Sequence, residues 1–288
     1  MPRFLPEPRR TALALLCTLT GVIAPAQSGP AVNAVLVRAP GTSAPYLLGA
    51  WQAGTWRPAD AALAAQVGAG TYTRRTLIGT TTRVSVAVPE SMGVPCEDTF
   101  QAALRPDREA QRFEVYTTAA ATPPRPVTAL PLTSAVYREV IRTHLLRRGV
   151  TASTVRLTAL LRADLDGDGT QEVIVEASAF RERSGNFPPP TGQPGDYSVL
   201  LLRHVAAGKA VTTVLGEYIA PATPWNPDST EPMPLATLYR VAGLADLNGD
   251  GRLELLTYGA YYEGDAFAAH EWTPGGGLTL RLETGCGV

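Results

Sequence analysis

The sequence predicts a mainly β fold, with two four-stranded, blade-like repeat units, one packed α-helix and an N-terminal β-rich segment. Three observations lead there. Short runs rich in β-branched and aromatic residues, bounded by Gly and Pro, fill most of the chain. A single long segment repeats apolar residues at helical spacing. The stretch from 155 to 288 carries one order of elements twice.

The opening "MPRFLPEPRRTALALLCTLTGVIAPAQ" joins a basic head (Arg3, Arg9, Arg10) to an apolar run from Thr11 to Ile23 and a small-residue exit at Ala24-Pro25-Ala26. That is the form of a secretory signal peptide over 1–26, cut before Gln27. Its apolar run falls short of the ~20 residues a bilayer span requires, and no later segment comes close. Acylation at Cys17 is disfavoured by bulky Leu16 in front of it. The expected location is therefore secreted or periplasmic. Losing the signal leaves Cys96 and Cys286, which are expected to pair in an oxidising compartment. Closing so long a loop contributes about 4 to 5 kcal/mol on a chain-entropy estimate.

From 27 to 130, "NAVLVRA", "YLLGAW", "TYTRRTLIG", "TRVSVAV" and "RFEVYTT" read as strands, with "PADAALAAQVG" as a short helix. The Pro-rich "AATPPRPVTALP" at 120–131 marks a boundary. A helix is expected over 131–150, capped by Thr133 or Ser134, with Val136, Val140, Ile141 and Leu145 on its apolar stripe. In the segment 151–288 the first unit runs "RLTALLRA", "EVIVEASAF", "YSVLLLRHV", "VTTVLGEYI"; the second runs "TLYRVAGLA", "ELLTYGAYY", "FAAHEWT", "LTLRLETG". Four strands per unit is a sheet or blade pattern. With only two such units visible, either the N-terminal β segments supply degenerate blades without metal or, the preferred expectation, the two sheets pack on each other and on the helix without propeller closure.

Lys+Arg 25 against Asp+Glu 26 leave a net charge of -1, so no basic field is present to hold nucleic acid or an anionic membrane. The acidity is local. Asp164, Asp166, Asp168, Glu172, Asp246, Asp250 and Glu254 all lie in two loops, "RADLDGDGTQEVIV" and "ADLNGDGRLELL". Counting from the first aspartate, positions one, three and five are Asp164, Asp166, Asp168 or Asp246, Asn248, Asp250. Glycine at position six permits a bend that brings in the carbonyl of Thr170 or Arg252, and position nine is Glu172 or Glu254. These are hard oxygen donors whose mutual repulsion a bound Ca²⁺ would relieve, in preference to Mg²⁺ with its compact octahedron. The loops are not EF-hands, because position 12 is Val175 or Thr257 and both flanks are extended.

The pattern D-x-[DN]-G-D-G-x-x-E followed by apolar residues is similar to the calcium loops of FG-GAP/VCBS-type repeats, the family that includes integrin-like propeller blades. The resemblance covers about 155–288. It implies two Ca²⁺ sites, one held by Asp164, Asp166, Asp168, the Thr170 carbonyl and Glu172. The other is held by Asp246, Asn248, Asp250, the Arg252 carbonyl and Glu254. The rival readings are a metal-free Asp/Gly turn and the D-x-D-G-T nucleophile loop of haloacid-dehalogenase-type phosphatases. Against the second, position three is Asn248 in one copy and no parallel α/β alternation surrounds either loop.

Other chemistry is sparse. His144, His204 and His270 lie in no recognisable motif, and no G-x-S-x-G elbow, P-loop or dinucleotide fingerprint occurs. Glu263 and Asp265 in "YYEGDAF" are expected to face water, the alternatives being a ligand for the second loop or a sugar contact. Of the aromatic cluster Tyr258, Tyr261, Tyr262 and Trp272, strand alternation is expected to bury Tyr262 with Tyr258. The expected function is a calcium-binding protein whose metal is structural, with no catalysis of its own. The alternatives are a surface recognition module for a glycan or partner protein, and a hydrolase with an N-terminal site.

Overall fold

The computed structural model describes residues 31–79, 81–118, 125–151, 155–182, 187–275 and 277–287; the expected signal peptide, 1–26, lies outside them. The chain is mainly β, with three antiparallel sheets and two helices among the described residues. The first sheet holds nine strands: β1 Val32–Arg38, β2 Tyr46–Gln52, β3 Thr55–Pro58, β4 Gly70–Thr76, β5 Thr81–Val86, β6 Glu90–Ser91, β7 Phe100–Gln101, β8 Leu104–Arg105 and β9 Glu114–Thr117. The second runs in sequence order through β10 Thr128–Ala129, β11 Leu157–Ala163, β12 Glu172–Ala179, β13 Tyr197–Ala206 and β14 Lys209–Ile219. The third, also in sequence order, comprises β15 Leu238–Ala245, β16 Glu254–Tyr261, β17 Gly264–Thr273 and β18 Gly277–Gly287. Helix α1 is Ala61–Val67 and α2 is Ala135–Arg147.

Side-chain alternation decides how these elements stack. On β12 and β13, Val173, Val175, Val199 and Leu201 join Ile141 and Leu145 of α2, whereas Ile174, Leu200 and Leu202 meet Leu255 and Trp272 of the third sheet. On β16 and β17, Leu256, Tyr258, Phe267 and Ala269 point the other way, onto Val35, Val37 and Val115 of the first sheet. The opposite face of β1 and β2, Leu36 and Leu47, closes on Leu63 of α1. The order of layers is therefore α1, first sheet, third sheet, second sheet, α2. A strand buried on both faces needs an apolar run without polar interruption, which is what Val173–Val175 and Leu200–Leu202 supply.

Contact between layers is close at two glycines. A Cβ at Gly49 would stand 2.4 Å from the Arg57 carbonyl and 2.7 Å from Leu282, and one at Gly243 would stand 2.7 Å from Val115. Polar pins hold the other interface. The edge strand β15 directs the N–H of Tyr239 to Ser198 Oγ at 2.8 Å and that of Val241 to buried Glu176 Oε2 at 2.9 Å, so its exposed ladder groups find partners on the second sheet. The Cys96–Cys286 disulfide, Cα to Cα 5.5 Å, fastens β18 to the first sheet.

Helix α2 is shorter than the expected 131–150. Ser134 occupies its N-cap position without a side-chain bond to the helix, and Val136 points outward at 68% exposure, so the stripe consists of Ile141 and Leu145 with Val140 half-buried. Among the described residues no helix is long and apolar enough to cross a membrane.

Candidate metal centres

The first acidic loop joins β11 to β12 and the second joins β15 to β16. Both are folded by the same five hydrogen bonds. In the first, Asp164 accepts from the N–H of Gly167 (2.6 Å) and Gly169 (3.2 Å), Asp166 from Asp168 (3.2 Å), Asp168 from Thr170 (2.6 Å) and Glu172 from Leu165 (2.9 Å). In the second, Asp246 accepts from Gly249 (2.6 Å) and Gly251 (3.0 Å), Asn248 from Asp250 (2.9 Å), Asp250 from Arg252 (2.8 Å) and Glu254 from Leu247 (2.6 Å). Gly169 and Gly251 bend at φ +87° and +85°, a region that costs L-residues strain. Short side chains that accept from N–H groups two to five residues ahead coil the backbone around a common centre.

The first loop brings Asp164, Asp166 and Glu172 together, one carboxylate oxygen of each lying within 4.8 Å of the others. Among the described residues this is the one group of three or more His, Cys, Asp or Glu so placed, and Asp168 is not part of it. The second loop forms no such three-acid group, since Asn248 stands at its third position. The sequence treats the two loops as equivalent, and their acid placement is not. The carbonyls of Thr170 and Arg252 belong to residues whose N–H groups Asp168 and Asp250 hold.

The position-nine glutamates are buried while the other acids stand nearer water. Burial, reinforced by the charges of Asp166 and Asp168, pushes Glu172 up to about 7 against the opposing Leu165 N–H. Burial likewise drives Glu254 up to about 8, with Asp250, Asp246 and Glu271 adding repulsion and the Leu247 N–H opposing. Glu254 is 0% exposed, and its Oε1 has no hydrogen-bond partner among the described residues. A buried carboxylate oxygen without a partner is costly unless a cation faces it.

Polar contacts from outside the motif also reach the loops. Arg125 donates to the Asp164 carbonyl at 3.1 Å and stands 3.8 Å from its carboxylate. Glu271 on β17 accepts from Asn248 Nδ2 at 3.2 Å. No spacing rule links residue 125 to residue 164, and Glu271 lies in the strand run "FAAHEWT" with no local signal of the loop.

Asp265 is half-buried, with its carboxylate engaged by protein. It lies between two hydroxyls, Tyr46 donating at 3.0 Å and Tyr258 at 3.0 Å, and burial raises its carboxyl against the pull of those bonds. It cannot serve the second loop, because it pairs with Ala260 at the far end of β16 from Glu254. Tyr262 falls in the turn after β16 and is half-buried, not packed with Tyr258, because the strand ends at Tyr261. Trp272 is buried at 4% exposure.

The histidines are engaged with neighbouring side chains: His144 with Glu217, His204 with Thr213 and His270 with Thr257. In the first sheet, buried Glu114 accepts from Arg38, Arg108 and Tyr116. Burial alone would raise its carboxyl, yet those three donors hold it below the ordinary value. Comparison of the chain with protein-family models, curated proteins and solved structures found no match.

Proposed function

We propose that the chain is a secreted or periplasmic calcium-binding protein of the FG-GAP/VCBS type, in which metal at the two loops supplies folding energy and no reaction is catalysed. The observation that carries this reading is buried Glu254, whose Oε1 lacks a partner among the described residues and which closes a loop that also holds Asp246 and Asp250. The three converging oxygens of Asp164, Asp166 and Glu172 add support at the first loop. Oxygen-only donors with buried acids suit a hard divalent cation, and Ca²⁺ tolerates the irregular geometry better than Mg²⁺. Each loop joins two neighbouring strands of an antiparallel meander, β11 to β14 and β15 to β18, which supports reading these meanders as blade-like repeats.

The test is calorimetric titration of the full mature chain with calcium chloride, together with thermal melting in EDTA and in excess calcium. Two binding events with dissociation constants at or below about 10⁻³ M are expected, along with a melting temperature that EDTA lowers and calcium restores. Absence of any heat of binding and identical melting curves would defeat the reading.

A further inference from the structure

We infer that Glu271 fixes the direction in which Asn248 presents its amide, so that the oxygen faces the second loop and a divalent cation can be held there; the inference rests on the calcium reading of that loop. The two loops differ at position three. A carboxylate such as Asp166 offers oxygen whichever way it turns, whereas an amide offers oxygen on one side and two N–H donors on the other. A turned-over Asn248 would aim N–H groups at the cation.

Asn248 is held by both of its ends. Its Oδ1 accepts from the Asp250 N–H at 2.9 Å, as Asp166 accepts from Asp168, and its Nδ2 donates to Glu271 Oε1 at 3.2 Å. Turning the amide over would set Nδ2 against the Asp250 N–H and the carbonyl oxygen against the Glu271 carboxylate, two repulsions in place of two bonds. Glu271 is itself anchored, since Arg281 Nε on β18 donates to its Oε2 at 2.6 Å. Strand register explains why the pairing belongs to this loop only. Leu255 lies opposite His270 and Val173 opposite Arg203, so one step further Glu271 neighbours Glu254, whereas His204 neighbours Glu172. An aspartate at 248 would face another carboxylate; asparagine bonds to it instead. That the second loop is built for a cation is indicated separately by Glu254, fully buried with an Oε1 that has no partner among the described residues.

The test titrates calcium chloride into the full mature chain carrying Asp166→Ala, which silences the first loop, and compares Glu271→Ala, Glu271→Gln, and Asn248→Asp combined with Glu271→Ala. Glu271→Ala should weaken the remaining event about tenfold or more, while Glu271→Gln, whose carbonyl still accepts from Nδ2, stays within about threefold. The Asn248→Asp, Glu271→Ala combination should recover binding, because a carboxylate needs no orienting partner. Unchanged affinity in Glu271→Ala, or no recovery in the combination, overturns the inference. Should Glu271→Ala fail to fold, the combination decides: folding with calcium bound upholds the pairing, and failure to fold refutes it. A parent chain without any calcium event refutes the calcium reading itself, a distinct result.

Discussion

The backbone N–H of Leu253 donates to the carbonyl of Leu165 at 2.8 Å, joining the two acidic loops directly. Each residue stands between two candidate ligands of its own loop: Leu165 between Asp164 and Asp166, and Leu253 between Arg252 and Glu254. Both are buried in the core shared by the second and third sheets. Whatever fixes one loop therefore constrains the backbone of the other.

Calcium binding at the two loops should be coupled. Asp166→Ala is expected to remove one of two calorimetric events and retain the second, weakened about fivefold, the equivalent of one hydrogen bond near 1 kcal/mol. A second event of unaltered affinity would mean that the Leu253–Leu165 bond transmits nothing.

Acidity should act oppositely on the metal-free and calcium-loaded protein. Glu172 and Glu254 bind protons more tightly when folded, at about 7 and about 8, than at the ordinary value of 4.5. Their contribution to stability without metal is thus full below the ordinary value and lost as pH rises through the folded values. Calcium needs both carboxylates ionised, so its benefit shrinks as pH falls. Melting in EDTA and in calcium between about pH 5 and about pH 9 should show a gap in Tm that widens by more than about 5 °C with rising pH. A constant gap contradicts the placement of these glutamates at the metal.

Reduction should loosen the C-terminal strand. Cys96 and Cys286 are 190 residues apart, and paired Cys96→Ser, Cys286→Ser substitution is expected to cost at least about 2 kcal/mol in urea unfolding. Limited proteolysis under dithiothreitol should cut first near β18.

Asp265 should tolerate an amide and reject truncation. Asp265→Ala removes the shared acceptor of the Tyr46 and Tyr258 hydroxyls at the interface of the first and third sheets, for an expected loss of about 2 to 3 kcal/mol. Asp265→Asn, which can still accept from one hydroxyl and donate to the other, is expected within about 1.5 kcal/mol of the parent. Chemical unfolding of both variants provides the comparison.

The mainly β class, the eight long strands of the second and third sheets, the helix core at Ile141 and Leu145 and the partnership of Cys96 with Cys286 were all determined by local pattern. Strand and helix periodicity are written in neighbouring residues, and beyond the N-terminal apolar run the sequence holds two cysteines, so each has one partner to take. The convergence of Asp164, Asp166 and Glu172 was legible for the same reason, since one tight turn sets it. Tertiary structure alone decided that the last sheet of the chain lies between the first two, that Asp265 is enclosed by tyrosines, and that Arg125, Glu271 and the Leu253–Leu165 bond reach the loops. Such relationships depend on which faces meet across the core, and residues as far apart as 46 and 265 carry no local signal of each other until the sheets have packed.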